Sequence, residues 1–332
     1  MKSHGGLFDR IVSSGNLETA LRQAARGKTS REDVKSFLNE KEKNLARLSA
    51  LLKEGEWMPG NFFRFRIRDP KPRLIHCAPF EDRVVHHAIM QVISPCIERK
   101  FSDDTYACRI GMGTHRAVCR AQQLIRRSLC FLKLDIRAYF NSINHEILLR
   151  ELLPVFRESS LRNLIQRLVT HPREFGEKGK GLPIGNLTSQ WFANFYLAHL
   201  DHYCREHWNL SGYIRYMDDM IFFSRCRETL WSVLQGVETY LAEKRQLAIK
   251  ESSTRLGPVG AGVPFLGMNI FPGCLRLQRR KILRARRLLR RREHEFQAGT
   301  IDERQLVSSA SAVHGVYGWF GLKRIIVSEL EV

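Results

Sequence analysis

Along the first third of the chain, apolar residues recur at helical spacing. Leu17 to Ala25 follows Asn16, which the pattern makes its cap. After Ser30, a long charged stretch from Arg31 to Glu54 repeats Val34, Leu38, Leu45, Leu48 and Leu52 on one face. The period then falls to two. Phe63, Phe65 and Ile67 alternate with Arg64, Arg66 and Arg68, Asp69-Pro-Lys-Pro72 is a strong turn signal, and Arg73-Leu-Ile75 resumes extended structure. This predicts a β-hairpin with arginines on one face and Lys71 and Arg73 near its tip. A helix is predicted from Glu81 to about Ile97, ending near Pro95, and a strand from Cys130 to Asp135. Asn144 opens another helix through Ile147, Leu148, Glu151 and Leu152. Gly176 to Gly181 reads as a polar loop, and Trp191 to His207 as helix. Two short apolar strands around Tyr213 to Ser224 then carry acids at the turn between them. A mixed region leads to Val263-Pro-Phe-Leu-Gly-Met268. Arg279 to Arg292 is a helix dense in arginine, with Leu283, Leu288 and Leu289 as its inner face. There is no internal repeat and no long linker.

The acids in these apolar runs are the first sign of chemistry. A strand disfavours Asp on both sides of its pleat, and alone the Asp218-Asp219 dipeptide reads best as a polar hairpin turn. The picture changes because Cys130 to Leu134 also ends in a carboxylate, Asp135. If the two segments are neighbours in one sheet, three carboxylates converge, and they would not all stay ionised without cations. Oxygen ligands suit Mg²⁺, which also binds substrate phosphates. Two such ions, about 3.5–4 Å apart, clamp the attacking and leaving oxygens of a phosphoryl displacement.

Charge adds to this. Fifty-four Lys and Arg against 34 Asp and Glu leave +20 and a pI near 10.0, an excess matched most commonly by nucleic acid. An anionic membrane surface is the competing partner, but no apolar run reaches roughly 18 residues. The start, Met1-Lys-Ser-His-Gly-Gly6, lacks the apolar core of a signal peptide. A soluble, cytoplasmic protein without membrane partners is expected. The 332 residues allow one large domain or two to three lobes. Eight scattered cysteines without a CxxC argue against a zinc ribbon or a disulfide framework and read as small buried thiols. His115 and Cys119, one helical turn apart, do not make a zinc site by themselves.

Tyr216-Met-Asp-Asp219 resembles the YxDD box of reverse transcriptases, and Leu134-Asp-Ile-Arg-Ala-Tyr-Phe140 resembles their first palm motif. The order strengthens the likeness: Pro70-Lys-Pro-Arg73, Phe80-Glu-Asp-Arg83, Asp135, Gly185 with Ser189-Gln190, the YMDD box, then Phe265-Leu-Gly267. The resemblance runs from about residue 60 to the C-terminus. One departure narrows it. Group II intron-type and retroviral enzymes carry Q-G-x-x-x-S-P, whereas this chain has Ile184-Gly-Asn-Leu-Thr-Ser-Gln190. That form is similar to the reverse transcriptases of diversity-generating retroelements.

The resemblance implies an α+β right-hand polymerase with an antiparallel palm sheet. Residues 1–55 would form a helical N-terminal extension, 56–129 and 143–188 the fingers, 130–142 and 189–270 the palm, and 271–332 the thumb. It implies error-prone copying of template RNA, mutagenic opposite adenine, from a DNA or RNA primer and dNTPs. Two Mg²⁺ ions, with Mn²⁺ able to substitute, would be held by Asp135, Asp218, Asp219 and the Ile136 carbonyl. A small basic homopentameric accessory protein would be a partner, in a bacterial or phage-encoded system. Lys71, Arg73, Ile136, Phe140, Ile184, Gly185 and Gln190 would surround the dNTP, with Phe140 rejecting the 2′-hydroxyl. Lys250 is the candidate general acid, Phe265, Leu266 and Gly267 the primer grip, and the arginine helix a thumb tracking phosphate. For Phe140 alone, an ordinary core position is the plainer reading; for Arg64, Arg66 and Arg68, a solvated face; for the arginine helix, a surface for another protein. About 65 residues follow Gly267, too few for an added nuclease domain. An accurate group II intron-like or defence-associated reverse transcriptase is the alternative, and a non-catalytic RNA-binding scaffold a further one.

Overall fold

Leu132, Leu134, Met220 and Phe222 point to one side of a strand pair, and Phe131, Ile221 and Phe223 to the other, so both faces must be covered. The computed structural model describes residues 6–67, 73–171 and 177–318. Its central sheet has the order β4-β5-β3-β6, all antiparallel, formed by β3 (Cys130–Asp135), β4 (Gly212–Tyr216), β5 (Asp219–Ser224) and β6 (Arg255–Pro258). One face joins the main core, packed by helices that include Phe80–Glu98, Leu187–Tyr196 and Arg227–Tyr240. The other face forms a second core with the helix Thr114–Ile125 and a three-stranded sheet of β7 (Val263–Phe265), β8 (Met268–Ile270) and β9 (Leu275–Leu277). The predicted hairpin is present as β1 (Phe63–Ile67) and β2 (Arg73–Cys77), paired antiparallel. Phe63, Phe65 and Ile67 are exposed as well as Arg64 and Arg66, so alternation here does not mark a buried face. Arg68, the turn Asp69–Pro72 with Lys71, and Gly176 lie outside the described residues.

Several boundaries differ from those expected. The first predicted helix runs Ser14–Ala25, and Asn16 does not cap it: its side-chain amide donates to the Ile11 and Ala88 carbonyls. The charged stretch from Arg31 divides into Glu32–Asn39 and Lys41–Glu54 at Glu40, whose backbone (φ −120°, ψ 42°) leaves helical space. Trp191 to His207 likewise divides, at Leu197, into Leu187–Tyr196 and Ala198–His207. The helix Phe80–Glu98 passes Pro95 because a proline in the last turn forfeits only a hydrogen bond or so. In the arginine helix, Arg279–Gln297, no residue is buried; Leu283 is exposed, and Ile282 packs on the second core instead. Of the cysteines only Cys96 and Cys204 are buried, while Cys226 and Cys274 are exposed. Among the described residues, no helix is long and apolar enough to cross a membrane.

Burial has a measurable consequence at His86, in the helix Phe80–Glu98. Desolvation pushes its pKa down from 6.5 to about 3. A neutral buried imidazole contributes full stability above 6.5, and that contribution is lost as pH falls from 6.5 toward 3. The slope is about 1.4 kcal/mol per pH unit. Thermal melts of His86→Leu should therefore be flatter than wild type between pH 6.5 and 4.

Candidate active site

β4 and β5 pair through Tyr216 and Asp219, leaving Met217 and Asp218 as a two-residue turn. Such turns need positive φ at the first position, where glycine is usual. Met217 occupies it with φ 59°, a conformation costing a side-chain-bearing residue about 1–2 kcal/mol. Asp135 ends β3 directly opposite Asp219, so all three acids stand at one end of the sheet.

The surroundings of Asp218 and Asp219 are unfavourable to charge. Burial pushes Asp218 up to about 6, Asp135 and Asp219 add to the rise, and Arg73 opposes it. Burial also pushes Asp219 up to about 6 against the pull of Lys133, whose Nζ donates to Asp219 Oδ2 at 2.7 Å. Lys133 shares a face of β3 with Asp135 because side chains alternate. Asp219 Oδ1 is buried and receives no hydrogen bond among the described residues. Residues 248–250 run alongside the end of β3: Arg137 N–H donates to Ala248 O, Ile136 bridges Ile249, and Lys250 N–H donates to Asp135 O at 2.8 Å. That leaves Lys250 Nζ 3.9 Å from Asp135 Oδ2. Among the described residues, no three His, Cys, Asp or Glu side chains are drawn together tightly enough to hold an ion as they stand. The donor set still suits a hard divalent cation: carboxylate oxygens, one of them orphaned, with mutual repulsion to relieve.

The other expected residues divide into groups. His76 N–H donates to the Ile184 carbonyl at 3.0 Å, joining β2 to the loop before Leu187–Tyr196. Gly185, at φ 118°, lies so close that an added β-carbon would meet Ile75 Cγ2 at 3.0 Å. Gln190 Oε1 accepts from Cys108 Sγ at 3.6 Å. Phe140 is half-buried and edge-on to Tyr139, at 5.8 Å between ring centroids. Leu266 and Gly267, both at positive φ, turn β7 into β8, while Phe265 is wholly buried with Lys133 Nζ 5.8 Å from its ring centroid. Phe265 is therefore core, and only Leu266 and Gly267 of that trio form the turn. An open groove of about 1120 Å³ runs from Gly267 along Arg280, Arg284 and Arg287.

Sequence reasoning missed Lys133, which bonds to Asp219, and Arg215, which bonds to the Met217 carbonyl beside Asp218 and to Asp201 of the helix Ala198–His207. The available signal was a charged residue inside an otherwise apolar strand, at Lys133 in β3 and Arg215 in β4, since a charge is buried there only when paired.

The chain is similar to known proteins over part of its length. The group II intron-encoded protein LtrA of Lactococcus lactis subsp. cremoris is 22% identical over 167 residues, 48% of this chain and 28% of that protein. The COX1/OXI3 intron 1 protein of Saccharomyces cerevisiae is 22% identical over 162 residues, 45% of this chain and 19% of its own length. The chain thus spans less than a third of either relative. Among solved structures, apo telomerase from Candida tropicalis, truncated from its C-terminal domain, superposes with a TM-score of 0.50 at 13% identity, covering 72% of this chain and 60% of that one. It shares the fold. Residues 67–270, which include every strand of the central sheet and all three acids, match one family throughout, and the chain belongs to the reverse transcriptase (RNA-dependent DNA polymerase) family.

Proposed function

We propose that this chain is an RNA-directed DNA polymerase of the diversity-generating retroelement type. The observation that carries the polymerase reading is the register of Asp135 opposite Asp219, with Asp218 raised on the turn between β4 and β5. Asp135, Asp218, Asp219 and the Ile136 carbonyl would hold two Mg²⁺ ions, which when bound supply positive charge to the phosphates and to the attacking primer oxygen. The chain's own side chains do the rest. Arg73, with Lys71, grips the triphosphate through charge-assisted hydrogen bonds. Phe140 excludes a 2′-hydroxyl by bulk. Lys250, held beside Asp135, delivers a proton to the leaving pyrophosphate oxygen. In this reading β1–β2 and the Ile184 loop belong to the fingers, the central sheet to the palm, and Arg279–Gln297 to a thumb whose arginines follow the backbone of template RNA and primer, with salt-dependent affinity. Residues 1–55 form the N-terminal extension.

Ile184 supports the mutagenic reading. Its backbone is tied to β2, and its branched side chain offers the incoming base pair shape but no hydrogen bond. A site lacking such a bond discriminates poorly. Ile184→Gln is expected to lower misincorporation opposite adenine by roughly three- to tenfold, the worth of one neutral hydrogen bond. Sequencing of cDNA made by both proteins on one RNA template measures this, and an unchanged error spectrum would remove Ile184 from the account.

Similarity to group II intron-encoded proteins favours the second reading, an accurate enzyme. The deciding assay is Mg²⁺-dependent dNTP incorporation on RNA by the purified chain, with and without a small basic accessory protein, followed by sequencing. Errors concentrated opposite adenine support the retroelement type. Accurate products support the intron-like one, and no incorporation under any condition would leave an RNA-binding scaffold.

A further inference from the structure

Arg215 lies in β4, on the face that enters the main core, and both it and Asp201 of the helix Ala198–His207 are completely buried. The pair is bidentate. Arg215 Nε donates to Asp201 Oδ1 and Nη2 to Oδ2, each at 2.6 Å. Asp201 also accepts from Tyr213 Oη at 2.8 Å and Thr105 Oγ1 at 2.7 Å. From the helix Leu187–Tyr196, Asn194 accepts at Oδ1 from Nη1 (2.8 Å) and at its carbonyl from Nη2 (3.1 Å). The backbone is pinned too: Arg215 N–H donates to Asp104 O, and Tyr106 N–H to Arg215 O. With the guanidinium so fixed, one donor still reaches outward, and Nη1 donates to the Met217 carbonyl at 3.0 Å.

Stability alone does not account for this construction. Burying two charges costs several kcal/mol of solvation each, and uncharged replacements of similar volume often fold as well or better. What they cannot supply is a fixed donor aimed at the carbonyl of Met217, the residue held in left-handed backbone next to Asp218. Local strain of that kind persists only when its surroundings over-determine it. We propose that Arg215, anchored by Asp201 and Asn194, is the positioning residue of the acidic turn: its hydrogen bond to Met217 O holds the strained backbone that presents Asp218. The inference rests on the polymerase reading of that turn, but its geometry does not depend on substrate.

The test pairs Arg215→Gln/Asp201→Asn with Met217→Gly. The double substitution removes both charges and keeps hydrogen-bonding groups for Thr105 and Tyr213, while the shorter Gln cannot span to Met217 O. Expected is a melting temperature near wild type, an unchanged KM for dNTP and a kcat lower by on the order of a hundredfold, the cost of about 1 Å of misplacement. Adding Met217→Gly, whose backbone accepts positive φ without strain, should restore most of that loss. A second readout needs no turnover. In protein labelled at its seven methionine methyl groups, the Met217 signal, assigned from Met217→Gly, should be single in wild type and broadened or doubled in the double variant. Wild-type kcat in the double variant, or an unchanged Met217 signal, would overturn the proposal. If the double variant does not fold, Arg215→Lys keeps a buried cation opposite Asp201 without reaching both partners. Rescue of its kcat by Met217→Gly then supports the clamp, and absence of rescue overturns it. Should wild type itself prove inactive, the polymerase reading fails, and the methyl signal still decides the clamp.

Discussion

Asp218→Asn is expected to abolish nucleotide incorporation, by on the order of a thousandfold or more, and to leave the fold intact. The substitution preserves shape and removes the charge at the acid raised on the turn. A lost cation ligand at a reacting phosphate is worth several kcal/mol, and each 1.4 kcal/mol is about tenfold in rate. The same substitution should stabilise the protein when divalent ions are chelated. Burial and Asp135 raise Asp218 from 3.8 to about 6, so the native state binds this proton more tightly than the unfolded chain does. The wild-type contribution is present below 3.8 and lost as pH rises through about 6. Melting temperatures in chelator should therefore favour Asp218→Asn above pH 6 and converge with wild type below about 4. Retained incorporation would sink the assignment of Asp218 as a cation ligand, and convergence at all pH values would sink the account of its burial.

Arg215→Gln alone carries the largest expected loss of stability. It strands the Asp201 carboxylate in the core, where both partners are fully buried. Breaking one side of a buried pair costs about 3–5 kcal/mol, equivalent to a fall in melting temperature of roughly 5–15 °C. The loss should be largely recovered by adding Asp201→Asn, because the stranded charge then disappears. Denaturant melts of the two single variants and the double measure the coupling directly. Equal losses in single and double variants would mean that the pair's own attraction, rather than the orphaned charge, holds this region.

The parts read well from sequence are those where a local pattern and a tertiary requirement coincide. β3 and the β4–β5 hairpin are apolar on both faces because cores cover both sides of the sheet, and such strands betray themselves as continuous apolar runs. The acids were legible for the same reason, as charges where none should be. The hairpin β1–β2 was legible from alternation, but its burial was not, since among the described residues neither core reaches Phe63, Phe65 or Ile67. Helix ends were harder. Asn16 looked like a cap and instead bonds to Ile11 and to Ala88, a partner distant in sequence. Leu283 looked like an anchor by periodicity, yet the short sheet β7–β9 meets the helix at Ile282.

The order of the motifs and the strand types were determined by the sequence alone, because they follow from side-chain chemistry along single segments, whereas the convergence of Asp135 with Asp218 and Asp219 also needed β3 to pair with β5. Which cations answer those acids was decided by tertiary structure. Lys133 reaches Asp219 across a strand pair, Lys250 comes to Asp135 on a segment more than a hundred residues later, and Arg215 meets Met217 and Asp201 inside a core built from three further segments. Local propensity contains no information about such pairs. They exist because burying a charge is costly, and pairing across segments offsets that cost at Arg215 with Asp201 and at Lys133 with Asp219.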